Sequence, residues 1–195
     1  KSIINQDYKG IKIVAVNDAS TDNSLDVLYE LSKRYNGKKG KFIEVINLQK
    51  NGGVDNARFV ALERLNTPYV MFVDSDDYLP KGSVSTLMRY SNKYNADVVE
   101  GGFRRFIGRV KLLSKNFSKE FAYIEQPELF QKYSVSFFGI SLLAVSLWGK
   151  LYRSEVFKRC NIGRTCFKMG EDMFLNMTIF PTLHNYLIIS EVVYC

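Results

Sequence analysis

Histidine and cysteine are nearly absent from these 195 residues: His184 stands alone, and the thiols are Cys160, Cys166 and Cys195. An odd count without metal-site spacing excludes a thiolate–histidine zinc cluster and argues against a disulfide framework, so reduced thiols in the cytoplasm are the expectation. His184 precedes Asn185 in an expected turn and reads as a surface residue. No arginine-rich block occurs either. The basic residues are scattered and most aromatics lie in apolar runs, which argues against a dedicated nucleic-acid binder. Long hydrophobic runs are missing too. The longest uncharged stretch, Tyr133 to Gly149, is interrupted by Ser134, Ser136, Ser141 and Ser146. It falls short of the ~20 residues a spanning helix needs and reads as a buried wall. No signal-peptide pattern, internal repeat, linker or low-complexity segment is visible. A Gly-x-Gly-x-x-Gly fingerprint is lacking, which removes the dinucleotide oxidoreductases. A Gly-x-Gly-x-x-Arg loop is lacking as well, which argues against a sugar nucleotidyltransferase.

The composition that remains is that of one folded domain, with 46% hydrophobic and 24% charged residues. Lysine and arginine exceed the acids by 27 to 20, a net charge of +7 that favours nucleotides, phosphorylated sugars or an acidic lipid surface as partners.

The most informative stretch is Tyr69-Val-Met-Phe-Val-Asp74-Ser-Asp76-Asp77. Five apolar residues, rich in β-branched and aromatic side chains, predict a strand buried on both faces. The acids then fall at its C-terminal end, the edge where ligands bind in open α/β sheets. Asp74 and Asp76 lie two apart, so in extended chain both carboxylates point to one side. Two such oxygens can share Mg²⁺ or Mn²⁺ and leave other positions for water or a diphosphate. The competing reading is that the acids cap a helix starting at Pro80.

Around that stretch the chain alternates strand and helix. Lys1 to Gln6 resembles the end of a helix, and Ile11 to Val16 a strand. Thr21 or Asp22 is placed to cap a helix whose Leu28, Leu31 and Tyr35 share a face. Phe42 to Ile46 is a second strand. Asn51-Gly52-Gly53 opens a helix with Val54, Ala57, Ala61 and Leu65 inward. A helix from Pro80 to Asn95 and a strand at Asp97 to Val99 follow. Steps of roughly 30 residues are the mark of βαβ units in a mainly parallel sheet. From Gly101 the pattern changes: a hairpin over Phe103 to Leu113 turning at Gly108, a short helix from Pro127, an extended Ser146 to Tyr152, and a helix capped by Ser154. Another helix opens at Gly170 with Phe174, Leu175 and Thr178 inward, and Tyr186 to Val193 is a strand. The expectation is a single domain over 1–195, with a nucleotide half to about residue 100 and an acceptor half beyond it.

Five segments in order carry a resemblance: Val16-Asn-Asp-Ala-Ser-Thr-Asp22, Asn51-Gly-Gly with Ala57-Arg58, Val73-Asp-Ser-Asp-Asp77, Trp148-Gly-Lys-Leu-Tyr152 and Gly170-Glu-Asp172. Together they resemble the family 2 glycosyltransferases of the α/β GT-A fold, with a mainly parallel central sheet flanked by helices. The resemblance implies an inverting, metal-assisted transfer from a nucleotide sugar, by default a UDP-sugar, to an acceptor hydroxyl in cell-surface glycan synthesis. It places Asp18 on the base, and Asn51, Gly52, Gly53 and Arg58 on the nucleotide. It gives Asp76 to the metal, and Asp74 to the metal, its water or the ribose. Asp172 becomes the catalytic base, with Glu171 beside it in support or on the acceptor. The positive end of a helix dipole suits carboxylates there. Trp148 stacks on a sugar or fills the core, and Lys150 meets phosphate or faces solvent.

The family's first strand and a C-terminal metal-binding histidine have no counterpart here, so the chain is expected to be trimmed at both ends, with an open sheet edge that favours homo-oligomers. The acceptor is an unknown glycan or lipid-linked molecule, and the basic charge fits the inner face of the membrane. Two alternatives stand beside this reading. A haloacid-dehalogenase-like phosphatase also places Asp-x-Asp after a strand, but expects Thr or Val where Tyr78 stands. A non-catalytic nucleotide-sugar binding module would not need Asp74, Asp76 and Asp172 together.

Overall fold

The structure is a computed structural model that describes residues 1–195 except 108–109, 116–121, 127, 129–130, 132–144, 161 and 163–169. The expected turn at Gly108, the helix at Pro127 and most of the Tyr133–Gly149 wall therefore lie outside the described residues. The chain divides into two compact units. One holds Tyr8–Thr67 with Glu171; the other holds Ser2–Asp7 and the described residues from Pro68 to Ile162 and from Asp172 to Cys195.

The first unit is built on two parallel strands, β1 (Ile11–Asn17) and β2 (Lys41–Asn47), paired from Ile11 opposite Lys41 to Asn17 opposite Asn47. Parallel neighbours need a crossover, and α1 (Ser24–Tyr35) supplies it, ahead of α2 (Gly53–Leu62). Leu28, Leu31 and Tyr35 share the half-buried face of α1, as their spacing predicts. Ala57 and Ala61 are half-buried on α2, Leu65 is half-buried beyond its end at Leu62, and Val54, expected inward, is exposed at the helix start. Lys41 is buried, and its ammonium donates to the Tyr8 carbonyl at 2.5 Å.

The second unit is a six-stranded mixed sheet. Its strands are β3 (Tyr69–Val70), β4 (Val98–Ile107), β5 (Val110–Lys115), β6 (Ala122–Glu125), β7 (Lys150–Arg153) and β8 (Asn185–Tyr194). Their order is β3-β7-β4-β8-β6, with β5 completing the expected hairpin on β4. β4 and β8 run parallel, and the other pairs are antiparallel. The change of pattern read at Gly101 lies within β4. Val98, Val99, Leu187, Ile188 and Ile189 are all buried although they alternate in direction, because both faces of the central pair are covered. The covering helices are α3 (Ser83–Tyr94), α4 (Ser154–Arg159) and α5 (Glu171–Ile179). Leu175, Asn176 and Ile179 turn inward on α5, whereas Phe174, expected there, is 40% exposed. Gly101 lets β4 and β8 approach closely at a register shift, since a Cβ there would lie 2.5 Å from a Val193 methyl.

Two helix starts differ from the sequence reading. Residues 2–5 form a turn, and Gln6 behind it accepts from the Val84 N–H at 3.2 Å and donates to the Pro80 carbonyl at 2.8 Å. Gln6 thus satisfies the start of α3, which begins at Ser83 rather than Pro80. At α4, Ser154 is the first helical residue and its buried hydroxyl finds no partner among the described residues. No described helix is long and apolar enough to cross a membrane.

A polar network crosses this core. Lys150 is fully buried, with its ammonium 3.9 Å from Glu100 and donating to the Ser146 carbonyl. Glu100 in turn accepts from the Tyr186 hydroxyl at 2.5 Å. Neither the phosphate nor the solvent reading of Lys150 fits that position. Removing one member of a buried ion pair strands the other, so Lys150→Ala should lower the second unit's stability by about 3–5 kcal/mol in urea titrations. A loss under about 1 kcal/mol would show that the ammonium leaves little charge uncompensated.

Candidate functional site

In the first unit, the ends of β1 and β2 are fixed by Asn17, whose amide donates to Asn47 Oδ1 at 2.8 Å. Asp18 follows directly. Its carboxylate accepts from the Gly52 N–H at 2.9 Å and the Gly53 N–H at 2.7 Å, while Asn51 Nδ2 donates to its carbonyl at 3.0 Å. Those N–H groups are orphan donors at the start of α2, and Asp18 caps them from 34 residues away. Gly53 has φ +83°, a conformation that glycine adopts without strain, and a Cβ on Gly52 would press on Asn56 at 2.5 Å. The structure thus brings Asp18, Asn51, Gly52 and Gly53 together. The amides expected to face phosphate or ribose face the Asp18 carboxylate instead. Further along α2, Arg58 pairs with Glu171 at 3.4 Å, and their side chains are only 13% and 17% exposed.

In the second unit, the apolar run from Tyr69 is regular strand only as far as Val70. Phe72 makes a single bridge to Trp148, and Ser75 and Asp76 form a turn closed by the Asp77 N–H on the Asp74 carbonyl at 3.2 Å. Asp74 and Asp76 are therefore related by a turn rather than by the period of a strand. Asp74 is half-buried and Asp76 exposed. The helix-cap reading of these acids fails, since α3 starts six residues beyond Asp77 and takes its cap from Gln6.

The end of β8 holds this turn, which no local motif announced. The Tyr194 hydroxyl accepts from the Asp74 N–H at 3.0 Å. Burial and the nearby Asp77 and Asp74 carboxylates push its pKa far above the usual phenol value. One residue on, Tyr78 and Cys195 exchange two backbone hydrogen bonds, at 2.8 and 3.0 Å. The Tyr194 ring stacks on Trp148 with centroids 4.9 Å apart and planes 15° from parallel, and Phe103 meets Trp148 edge-on at 4.9 Å. Trp148 therefore packs within the unit beneath the acidic turn.

Asp172 lies at the second position of α5, and its Oδ2 accepts from the Leu147 N–H at 3.0 Å. Asn176, fully buried one turn on, donates to the carbonyls of Asp172, at 2.9 Å, and of Val145. The bend before β7 is thus tied to the start of α5, and the Leu147 N–H holds the Asp172 carboxylate.

Among the described residues no group of three or more His, Cys, Asp or Glu forms a metal cluster. Asp74 and Asp76 offer hard carboxylate oxygens on one turn, closed by the Asp77 N–H on the Asp74 carbonyl. That donor set fits a small divalent cation which takes its remaining ligands from water and phosphate rather than from an all-protein cage.

Comparison with known proteins places this geometry. Residues 1–160 match the family described as glycosyl transferase family 2. The glycosyltransferase GlyA of Streptococcus pneumoniae serotype 4 is 33% identical over 99% of this chain, which spans 26% of that protein. The GalNAc(5)-diNAcBac-PP-undecaprenol beta-1,3-glucosyltransferase of Campylobacter jejuni is 31% identical over 80% of this chain and 55% of its own length. Among solved structures, S. aureus TarS 1–349 in complex with UDP-GlcNAc superposes with a TM-score of 0.79 over 99% of this chain and 52% of its own, at 24% identity. That likeness establishes the α/β GT-A fold with its parallel strands and flanking helices.

The cap from Asp18 is directly measurable. Asp18→Ala should destabilise the first unit by about 0.5–2 kcal/mol, with faster hydrogen exchange at Gly52 and Gly53. Unchanged exchange at both amides would show that the cap does not persist in solution.

Proposed function

We propose that this chain, which belongs to glycosyl transferase family 2, moves a sugar from a UDP-sugar to a hydroxyl of a growing cell-surface glycan, inverting the anomeric centre. The observation that carries the reading is the acidic turn Asp74–Asp77, fixed from the end of β8 and lying six residues ahead of α3. A phosphatase of the haloacid-dehalogenase kind has no support from the family match or from the fold, and a domain of a transferase family is an enzyme domain rather than a passive binding module.

In this reading Asp76 and Asp74 hold Mg²⁺ or Mn²⁺. A cation bound there would neutralise the charge that collects on the diphosphate as the nucleotide leaves. Asp18 and Asn51 recognise the nucleoside, with the Gly52 and Gly53 amides holding the Asp18 carboxylate in place. Arg58 pairs with Glu171, and Glu171 serves the acceptor. Asp172 takes the proton of the acceptor hydroxyl while its oxygen attacks the anomeric carbon on the face opposite the departing UDP. One displacement forms the new glycosidic bond, breaks the bond to phosphate and inverts the centre. The hydrogen bond from Leu147 holds Asp172 in orientation, which a general base requires. The net charge of +7 and the lipid-linked glycan in the name of the Campylobacter relative favour an acceptor carried on lipid at the cytoplasmic membrane face.

Asp172→Asn keeps the size of the side chain and an oxygen for the Leu147 N–H but removes the base. Transfer should fall by about 10²–10⁴, while UDP affinity and melting temperature stay near those of the parent protein. Near-normal turnover would end the assignment, and loss of folding together with activity would return Asp172 to a purely structural role. UDP should also bind more tightly with Mn²⁺ than with chelator, and Asp76→Asn should remove most of that gain in calorimetry. Equal affinity in both buffers would remove Asp76 from the site.

A further inference from the structure

We propose that Tyr194 is a positioning residue for the cation–diphosphate site: its hydroxyl fixes the Asp74–Asp77 turn so that the Asp74 and Asp76 carboxylates stand ready for one metal ion. The inference rests on the function proposed above and adds a residue that no sequence motif marks. Three carboxylates within four residues repel one another, and the turn between them is closed by a single backbone hydrogen bond, Asp77 to Asp74. Left alone, such a turn would sample many arrangements. Tyr194 constrains one end, accepting from the Asp74 N–H at 3.0 Å, and the backbone pair between Cys195 and Tyr78 constrains the other. Asp76 is left exposed at the tip.

Tyr194 is itself rigid. It is buried, lies on Trp148 and ends a strand in the middle of the sheet, with Cys195 paired to Tyr78 immediately beyond. Trp148 then belongs to the site through Tyr194: the indole supports the ring that supports the turn. This accounts for an aromatic of one motif lying beneath the acids of another.

Tyr194→Phe separates the hydroxyl from the ring, because phenylalanine keeps the stacking on Trp148. Three readouts on the variant and its parent decide the matter. Amide exchange at Asp74, without any ligand, should accelerate by roughly tenfold or more. UDP affinity in Mn²⁺ should weaken by roughly tenfold or more, the usual effect of removing an outer partner of a metal ligand. UDP affinity in chelator should change less than about twofold, and the melting temperature should shift by only a few degrees. A variant that keeps the whole Mn²⁺-dependent gain would overturn the proposal, whatever its exchange rate. Affinities that fall together in Mn²⁺ and in chelator, along with the melting temperature, would also overturn it, by showing a general structural role. If the parent protein gains nothing from Mn²⁺, the metal reading itself is at fault and the proposal falls with it.

Discussion

Like charges cannot share a short turn unless something outside the turn holds them. Asp74, Asp76 and Asp77 are crowded into four residues, and their mutual repulsion would open the loop if its own backbone were the only restraint. The restraint comes from a strand whose last residues lie 120 positions later in the chain. Much of the second unit can be read as support for that contact. Tyr194 needs a fixed strand, β8 needs β4 beside it, and Trp148 and Phe103 complete an aromatic stack under the phenol.

The same logic of distant support recurs. Asp18 caps α2 from the end of β1, and Gln6 caps α3 from the N-terminal turn. Asp172 restrains the segment before β7, and Lys150, Glu100 and Tyr186 cross the core as one satisfied network. In each case a polar group is committed to a partner far away in sequence. Such contacts fix geometry more than they add stability, since each replaces hydrogen bonds to water that the unfolded chain already has.

The elements that follow local pattern were legible from residues alone. The apolar runs at Ile11 and Phe42 are strands, the Gly101 region forms a hairpin on β4, and Gly170 precedes a helix that starts at Glu171. The five motifs in order also identified the family. Contacts between segments were not legible. Nothing near Tyr194 announces that it meets Asp74, and nothing near Lys150 announces that it is buried rather than solvated. The strand reading of Asp74 and Asp76 assumed extended chain where the backbone turns. Phe174 and Val54 fit the helical period of their segments yet are exposed, because periodicity names a face and only packing says whether a neighbour covers it.

The central claim is that the Asp74–Asp77 turn is the seat of a cation that serves a nucleoside diphosphate. The most direct measurement is a crystal structure of the protein grown with UDP and Mn²⁺, with the metal located by its anomalous scattering. The account predicts a manganese peak about 2.0–2.3 Å from an Asp76 carboxylate oxygen, bridged to the UDP phosphates, with the Tyr194 hydroxyl still on the Asp74 N–H. UDP bound with no metal at the turn, or manganese held by other residues, would contradict it.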